Sequence, residues 1–338
     1  LFARSAAVSE YRQDPLVQRW VVMAPERALR PIEVNEEPHL VETGIDPFAE
    51  GNEAETTSEV FAIRDESSIA NGPGWRVRVV PNKYPAVQLS SLPEQNPSDV
   101  TAIRPGTGAH EVIIECPHCE PNMSRLATEN IADVLRAYRQ RLLELKRDPR
   151  LIHATIFKNQ GALAGASVHH SHSQLIAVPF VPPAILEELQ GAREFYDRTG
   201  GCLFEHILKQ ELEERSRIVF ESPRLLAYCP YASRFSYETW IVPRRPGSHF
   251  EQVDNETLRD LALVLKTVLR SLELNVNDPP FNFVLHSAPF RMDTLPYYRW
   301  HLEILPRLSR VAGFEWGSGC FINQVLPEEA AQRLRIPV

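Results

Sequence analysis

The sequence predicts an α+β protein, mostly antiparallel sheet with helices packed on one side of it. Three observations lead there. Short apolar stretches rich in β-branched residues, such as WRVRVV from Trp75 and HEVIIE from His110, read as strands. Two longer stretches carry apolar residues at helical spacing. The same order of elements then occurs twice along the chain, and an internal repeat of this kind governs the architecture.

The first element is the strand WVVM, Trp20 to Met23, followed by a turn from Pro25 to Pro31. The stretch from Glu33 to Ser68 is rich in Glu, Thr and Pro and reads as loop. The first copy of the repeat opens with the strand at Trp75 and the turn Pro81-Asn82-Lys83-Tyr84-Pro85. A strand from His110 to Glu115 follows, then a helix from Thr128 to Lys146. Ile131, Val134, Leu135, Tyr138, Leu142 and Leu145 form that helix's apolar stripe. A strand from Ile152 to Phe157, a Gly/Ala-rich bend and a strand from His169 to Val178 complete the copy. The second copy runs through Leu225–Tyr228, Tyr237–Val242, a helix from Glu256 to Leu272, Phe281–Leu285 and Tyr298–Leu305. The plan is strand, strand, helix, strand, strand, twice. The segment 182–217 reads as largely helical, and the tail 311–338 as mixed. The expected domains are 1–181 and 182–338.

A chain of 338 residues is long enough for two domains with their own core, so folding needs no disulfide or metal. At 43% apolar and 24% charged residues it is not a disordered chain. A net charge of −8 argues against a general nucleic-acid binder. No apolar run approaches the roughly 20 residues of a membrane span. The opening LFARSAAVSEYRQDP lacks the apolar core of a secretory signal. Five cysteines are an odd, sparse set. A reducing, cytoplasmic compartment is the expectation, with no nucleic-acid or membrane partner.

The chemistry concentrates in Asn159 to Gln174, NQGALAGASVHHSHSQ. Side chains alternate along a strand, so His170, His172 and Gln174 are expected on one face and His169, Ser171 and Ser173 on the other. A neutral imidazole can attack phosphorus. A bend rich in Gly and Ala lets backbone N–H groups approach phosphate oxygens. Gln can donate to a phosphate oxygen without acting as a base. Two other readings of the same run stay open: a surface strand with scattered histidines, and a metal site using two histidines two apart.

KNQGALAGAS followed by HSHSQ resembles the active-site signature of the galactose-1-phosphate uridylyltransferase family, a branch of the histidine-triad superfamily with Gln in place of the last His. RQDPLVQRWVVMAPERALRP, WRVRVVPNKYPAV, HEVIIE, NDPPFNFVLHSAP, WHLEILPRL and GFEWGSGCFINQVLPE follow the family's order, so the likeness spans nearly the whole chain. The HSHSQ form and the last segment sit near the plant ADP-glucose phosphorylase branch. The resemblance implies two tandem histidine-triad-like repeats and a covalent nucleotidyl-histidine intermediate. It implies His172 as nucleophile, Gln174 on the phosphate of the intermediate, and the His170 carbonyl orienting the His172 ring. Asn159, Gly165 and Ser167 match phosphate-holding positions, and Arg27, Arg30 and Asn82 match nucleotide- and phosphate-binding ones. Val311, Phe314 and Glu315 match sugar-binding positions in the tail. In the second copy His301 falls where His172 falls, but Arg299 and Glu303 flank it, so no second nucleophilic site is expected.

The family's zinc is expected to be lost or substituted here. Asp46 and Ala49 stand at the two Cys positions of its Cys-x-x-Cys, Cys119 or His118 at the later His, and His170 at the last. Cys116 and Cys119 could rebuild a site with His170. A plant-type second zinc site would retain only Cys202, with Glu205, Pro246 and Arg299 at the other positions. For a bacterial-type iron site Glu188, His286 and His301 match, while Arg299 makes the set incomplete.

The leading expectation is a nucleotidyltransferase moving a nucleoside monophosphate from a nucleotide sugar to a hexose 1-phosphate. The alternatives are a nucleotide-sugar phosphorylase using inorganic phosphate and a non-catalytic nucleotide-binding relative. A second copy of the chain is a further partner, as a homodimer.

Overall fold

The computed structural model describes residues 9–29, 44–89 and 105–335. Ten strands form one sheet. From the first half of the chain come β3 (Phe61–Arg64), β4 (Trp75–Pro81), β5 (Ala109–Ile114), β6 (His153–Gln160) and β7 (His172–Val178). From the second half come β8 (Ile218–Glu221), β9 (Leu225–Tyr228), β10 (Thr239–Pro243), β11 (Phe281–His286) and β12 (His301–Pro306). Their spatial order is β3-β4-β5-β7-β6-β11-β12-β10-β9-β8. Followed outward from the centre, both halves place their strands in the same order, and the halves join where β6 pairs antiparallel with β11. A small second sheet has β1 (Glu10–Gln13) antiparallel to β2 (Trp20–Met23) and β13 (Phe321–Asn323) parallel to β2, tying the two ends of the chain together.

Each half therefore holds five strands rather than the four expected. The additional strands are the two outer ones. Phe61–Arg64 falls in the stretch that reads as loop, of which 33–43 lies outside the described residues. An edge strand has one neighbour and needs little apolar patterning, and β3 is half-buried along its whole length.

Helices α1 (Thr128–Leu145) and α4 (Asn255–Asn275) pack against each other on one face, over a core that runs through both halves. The apolar stripe named for α1 is buried throughout. Asp254 caps α4 by accepting the Thr257 N–H at 2.6 Å, a device that contributes about 1 kcal/mol.

The sequence predicts helices on one side, and here the structure differs. In β9, Leu225 and Ala227 join the α1/α4 core, while Leu226 and Tyr228 belong to a second core. That second core contains α2 (Pro183–Thr199) and α3 (Leu203–Glu214). The second half is thus covered on both faces. Near α5 (Gly313–Ser318) the chain turns into β13, and α6 (Pro327–Leu334) packs on α4. No helix among the described residues is long and apolar enough to cross a membrane.

Strand β7 starts at His172, not His169. The Ser171 carbonyl still accepts the Glu115 N–H at 3.2 Å, in register with the Ile114–His172 pair, but the Ser171 N–H turns to the Glu120 carbonyl at 3.0 Å, which ends the regular ladder. His170 therefore lies just before the strand, with its ring and the His172 ring both edge-on to Phe48.

Candidate active site

His172 opens β7 in the first half and is 6% exposed. Its Nδ1 donates to the His170 carbonyl at 2.8 Å, which leaves the Nε2 lone pair unprotonated and directed away from the backbone. Burial, with the nearby Lys158 cation, pushes the His172 pKa down, so the neutral form persists into acid. The Phe48 ring stands edge-on with centroids 5.3 Å apart.

Beneath the strand lies a buried charge network. Lys158 is 1% exposed and donates all three of its hydrogens: to Glu115 Oε2 at 2.7 Å, Ser171 Oγ at 2.9 Å and the His172 carbonyl at 3.0 Å. Tyr138 on α1 donates to Ser173 Oγ at 2.6 Å. Sequence reasoning missed Lys158 and Glu115. The available signal was Lys158 in phase with the inward-facing Ala154 and Ile156 of β6, where a charge must be paired.

A cavity of about 250 Å³ opens beside His172, lined also by Lys158, Asn159, Gly161, His170 and Ser171 among others. Gly161 has φ +81°, and a Cβ there would lie 2.9 Å from Pro280. Only glycine allows this backbone so close to the second half. Gly165 has φ +89°, and a Cβ there would meet only Asn159 Nδ2 at an ordinary 3.7 Å, so glycine is required for conformation alone. Asn159 lines the cavity and accepts from Asn282 at 2.8 Å, while Ser167 is exposed.

Gln174 lies on the His172 side of β7, its Oε1 2.8 Å from His110 Nε2. Asn82 follows β4, with Nδ2 3.2 Å from the same nitrogen. Arg27 is exposed on a short 3-10 turn, and Arg30 lies outside the described residues. Val311, Phe314 and Glu315 stand at and just before α5, and none of them lines the cavity.

The second-half counterpart is closed. His301 Nδ1 donates to the Arg299 carbonyl at 3.0 Å, repeating the His172 arrangement. Its ring, however, is fully buried, stacked on Trp240 at 4.9 Å and on His286 at 4.7 Å. No substrate can reach it. Glu188, His286, His301 and Glu303 bring ligand atoms within 4.8 Å of one another. Glu303 thereby completes a set that the sequence leaves incomplete at Arg299, whose guanidinium instead donates to the Pro243 and Arg244 carbonyls. Two imidazoles and two carboxylates suit a divalent transition metal.

Residues 2–182 match the family model described as the galactose-1-phosphate uridyl transferase N-terminal domain. The chain belongs to the galactose-1-phosphate uridylyltransferase family. It is 35% identical to an ADP-glucose phosphorylase of Arabidopsis thaliana, over 96% of this chain and 92% of that protein. It is 28% identical to a galactose-1-phosphate uridylyltransferase of Thermotoga maritima, over 96% and 98% respectively. The crystal structure of an Arabidopsis ADP-glucose phosphorylase with bound ADP-glucose superposes with a TM-score of 0.84 at 34% identity, covering 98% of this chain and all of that one. The two-faced, mostly antiparallel sheet is therefore the family's own fold.

The family's first zinc finds three donors here. Asp46, Cys119 and His170 place ligand atoms within 4.8 Å of one another. His170 Nδ1 lies 2.7 Å from Asp46 Oδ2, and its Nε2 lies 2.8 Å from the Cys116 carbonyl. Burial opposes it, yet the bonds with His170 and the Phe48 N–H hold the Asp46 carboxyl below its usual range. Cys116 lies outside the group. Burial, with the Glu115 charge, pushes its thiol up to about 12. Ala49 offers no donor, so the residues do not fit a closed four-ligand zinc. The expected result is that elemental analysis finds nearly the same zinc in the untagged protein and in Cys119→Ser. A full equivalent lost in Cys119→Ser would show a rebuilt site.

Proposed function

We propose that this chain cleaves a nucleotide sugar by nucleotidyl transfer through His172, with inorganic phosphate as the final acceptor. One observation carries the reading: a buried, neutral imidazole whose Nδ1 is tied to a carbonyl, with its other nitrogen beside a glycine-bordered cavity. In the first half-reaction the Nε2 lone pair attacks the α-phosphorus. The bond from that phosphorus to the bridging oxygen breaks, and the sugar 1-phosphate leaves with the electron pair. In the second, an acceptor phosphate oxygen attacks the same phosphorus and the P–N bond breaks, returning neutral His172 and releasing a nucleoside diphosphate. The proton on Nδ1 stays with the His170 carbonyl throughout. Gln174 donates to a non-bridging oxygen of the transferred group.

The likeness to ADP-glucose phosphorylase favours ADP-glucose as donor and phosphate as acceptor over the hexose 1-phosphate expected on sequence grounds. Transfer to hexose 1-phosphate is the second reading, favoured by the likeness to uridylyltransferases. A panel of ADP- and UDP-sugars with each acceptor separates them. ADP released from ADP-glucose only when phosphate is present supports the first. UDP-sugar exchange with galactose 1-phosphate supports the second.

Gln174→His should raise nucleotide release without acceptor, because a second imidazole can act as general base for water and Gln cannot. The ratio of hydrolysis to transfer checks this. An unchanged ratio would count against Gln174 lying on the transferred phosphate.

A further inference from the structure

Gln174 can serve a phosphate only if its amide is turned the right way. An amide has one accepting oxygen and one donating nitrogen, and a free side chain would present either. His110 on β5 resolves the choice. It lies diagonally across from Gln174 on the same face of the antiparallel β5–β7 pair, where Gln174 opposes Val112 and His110 opposes Ile176. The Ala86 backbone N–H points at His110 Nδ1 from 3.1 Å. A backbone N–H can only donate, so Nδ1 is the acceptor and the neutral ring carries its proton on Nε2. That Nε2–H then donates to Gln174 Oε1 at 2.8 Å. The Gln174 oxygen is thereby occupied, and its NH2 group is left to point elsewhere as a donor.

The same histidine holds the turn after β4. Its carbonyl accepts the Asn82 N–H at 2.8 Å, and its ring accepts from Ala86 four residues on. The Asn82 Oδ1 is occupied by the Tyr84 N–H at 2.8 Å, so its NH2 group stands 3.2 Å from the protonated His110 Nε2 as donor beside donor, a contact that is no hydrogen bond in this tautomer and leaves that NH2 group to donate elsewhere. Two amides thus have their oxygens occupied around one imidazole.

We infer that His110 is a positioning residue that locks the Gln174 amide with its NH2 group toward the transferred phosphate and registers the Asn82 turn against it. This rests on the proposed nucleotidyl transfer through His172. His110 itself touches no reacting atom.

Two substitutions dissect the ring. His110→Gln places a donor near the lost Nε2 and keeps the contact to Gln174. His110→Asn places an acceptor near the lost Nδ1 and keeps the turn but not Gln174. Adduct formation on His172 is followed by mass spectrometry with ADP- and UDP-sugars, in wild-type and Gln174→Ala backgrounds. His110→Asn should slow adduct formation by roughly 10- to 100-fold through kcat, the range a misplaced group costs. His110→Gln should restore most of it. In the Gln174→Ala background His110→Asn should have no further effect, which a merely structural role would not produce. Imidazole nitrogen NMR of histidine-labelled protein should show the Nε2–H form, assigned by its loss in His110→Asn. An Nδ1–H form, or an equal slowing by His110→Asn in both backgrounds, overturns the inference. A wild-type adduct with His110→Asn unchanged sinks this inference alone. No adduct on wild type from any donor sinks the nucleophile reading and this role with it.

Discussion

His172→Ala is expected to abolish nucleotidyl transfer, by roughly 10⁴-fold or more, the scale on which removing a nucleophile acts. Nucleotide binding should survive, because the glycine-bordered bend, Asn159 and the surrounding backbone are untouched. His172 is the one histidine of the active-site run at once tethered through Nδ1, open to the cavity and kept neutral. Its lowered pKa fixes a sign. Ordinary imidazole protonates near pH 6.5, and a protonated ring has no lone pair to offer. Burial favours the uncharged form, so the acid limb of the rate of adduct formation should fall below that value. Stopped-time mass spectrometry across pH measures both points. His172→Gly with added imidazole should recover part of the activity, since the missing ring leaves a matching space. An adduct on His170 instead would refute the assignment, and its ring nitrogens already face Asp46 and the Cys116 carbonyl.

Lys158→Met should be the most destabilising single change near the site. It removes the cation from a buried pair in which Glu115 is fully buried, leaving that carboxylate and Ser171 without their cation. Breaking a buried pair from one side costs about 3–5 kcal/mol. Neutralising both partners with groups of similar shape is far milder. Lys158→Met combined with Glu115→Gln should therefore regain most of the thermal stability. Adduct formation should stay slow in the double variant, because nothing then holds the His172 carbonyl now bound by Lys158 at 3.0 Å. Calorimetry and the adduct rate separate these effects. Full recovery of both would show that Lys158 serves stability alone.

Much of the active-site strand is legible in the amino-acid pattern. Alternation places His172 and Gln174 on one face and Ser171 and Ser173 on the other. The Ser171 and Ser173 side chains do meet the buried network beneath the strand. His170 lies just before the strand, where the Ser171 N–H turns to the Glu120 carbonyl, yet its ring and the His172 ring both stand edge-on to Phe48. His110 reads only as a strand residue in the sequence. Its meaning depends on a cross-strand neighbour 64 positions away, and periodicity carries no such information.

The succession of the inner strands, the two long helices and the family all follow from the chain's own pattern, because they depend on local spacing and on a contiguous motif. Arg299 and Glu303 beside His301 already make a second nucleophilic site unexpected in the sequence, and the folded protein adds the physical reason. His172 and His301 share the same tether to a carbonyl two residues back. In the first half the His172 ring borders a cavity, whereas α3 brings Phe204 within 5.3 Å of the His301 ring, which also stacks on Trp240 and His286. Which face a helix covers is set by how distant apolar stripes fit together in the shared core, and that cooperative choice is written in no single stretch of the chain.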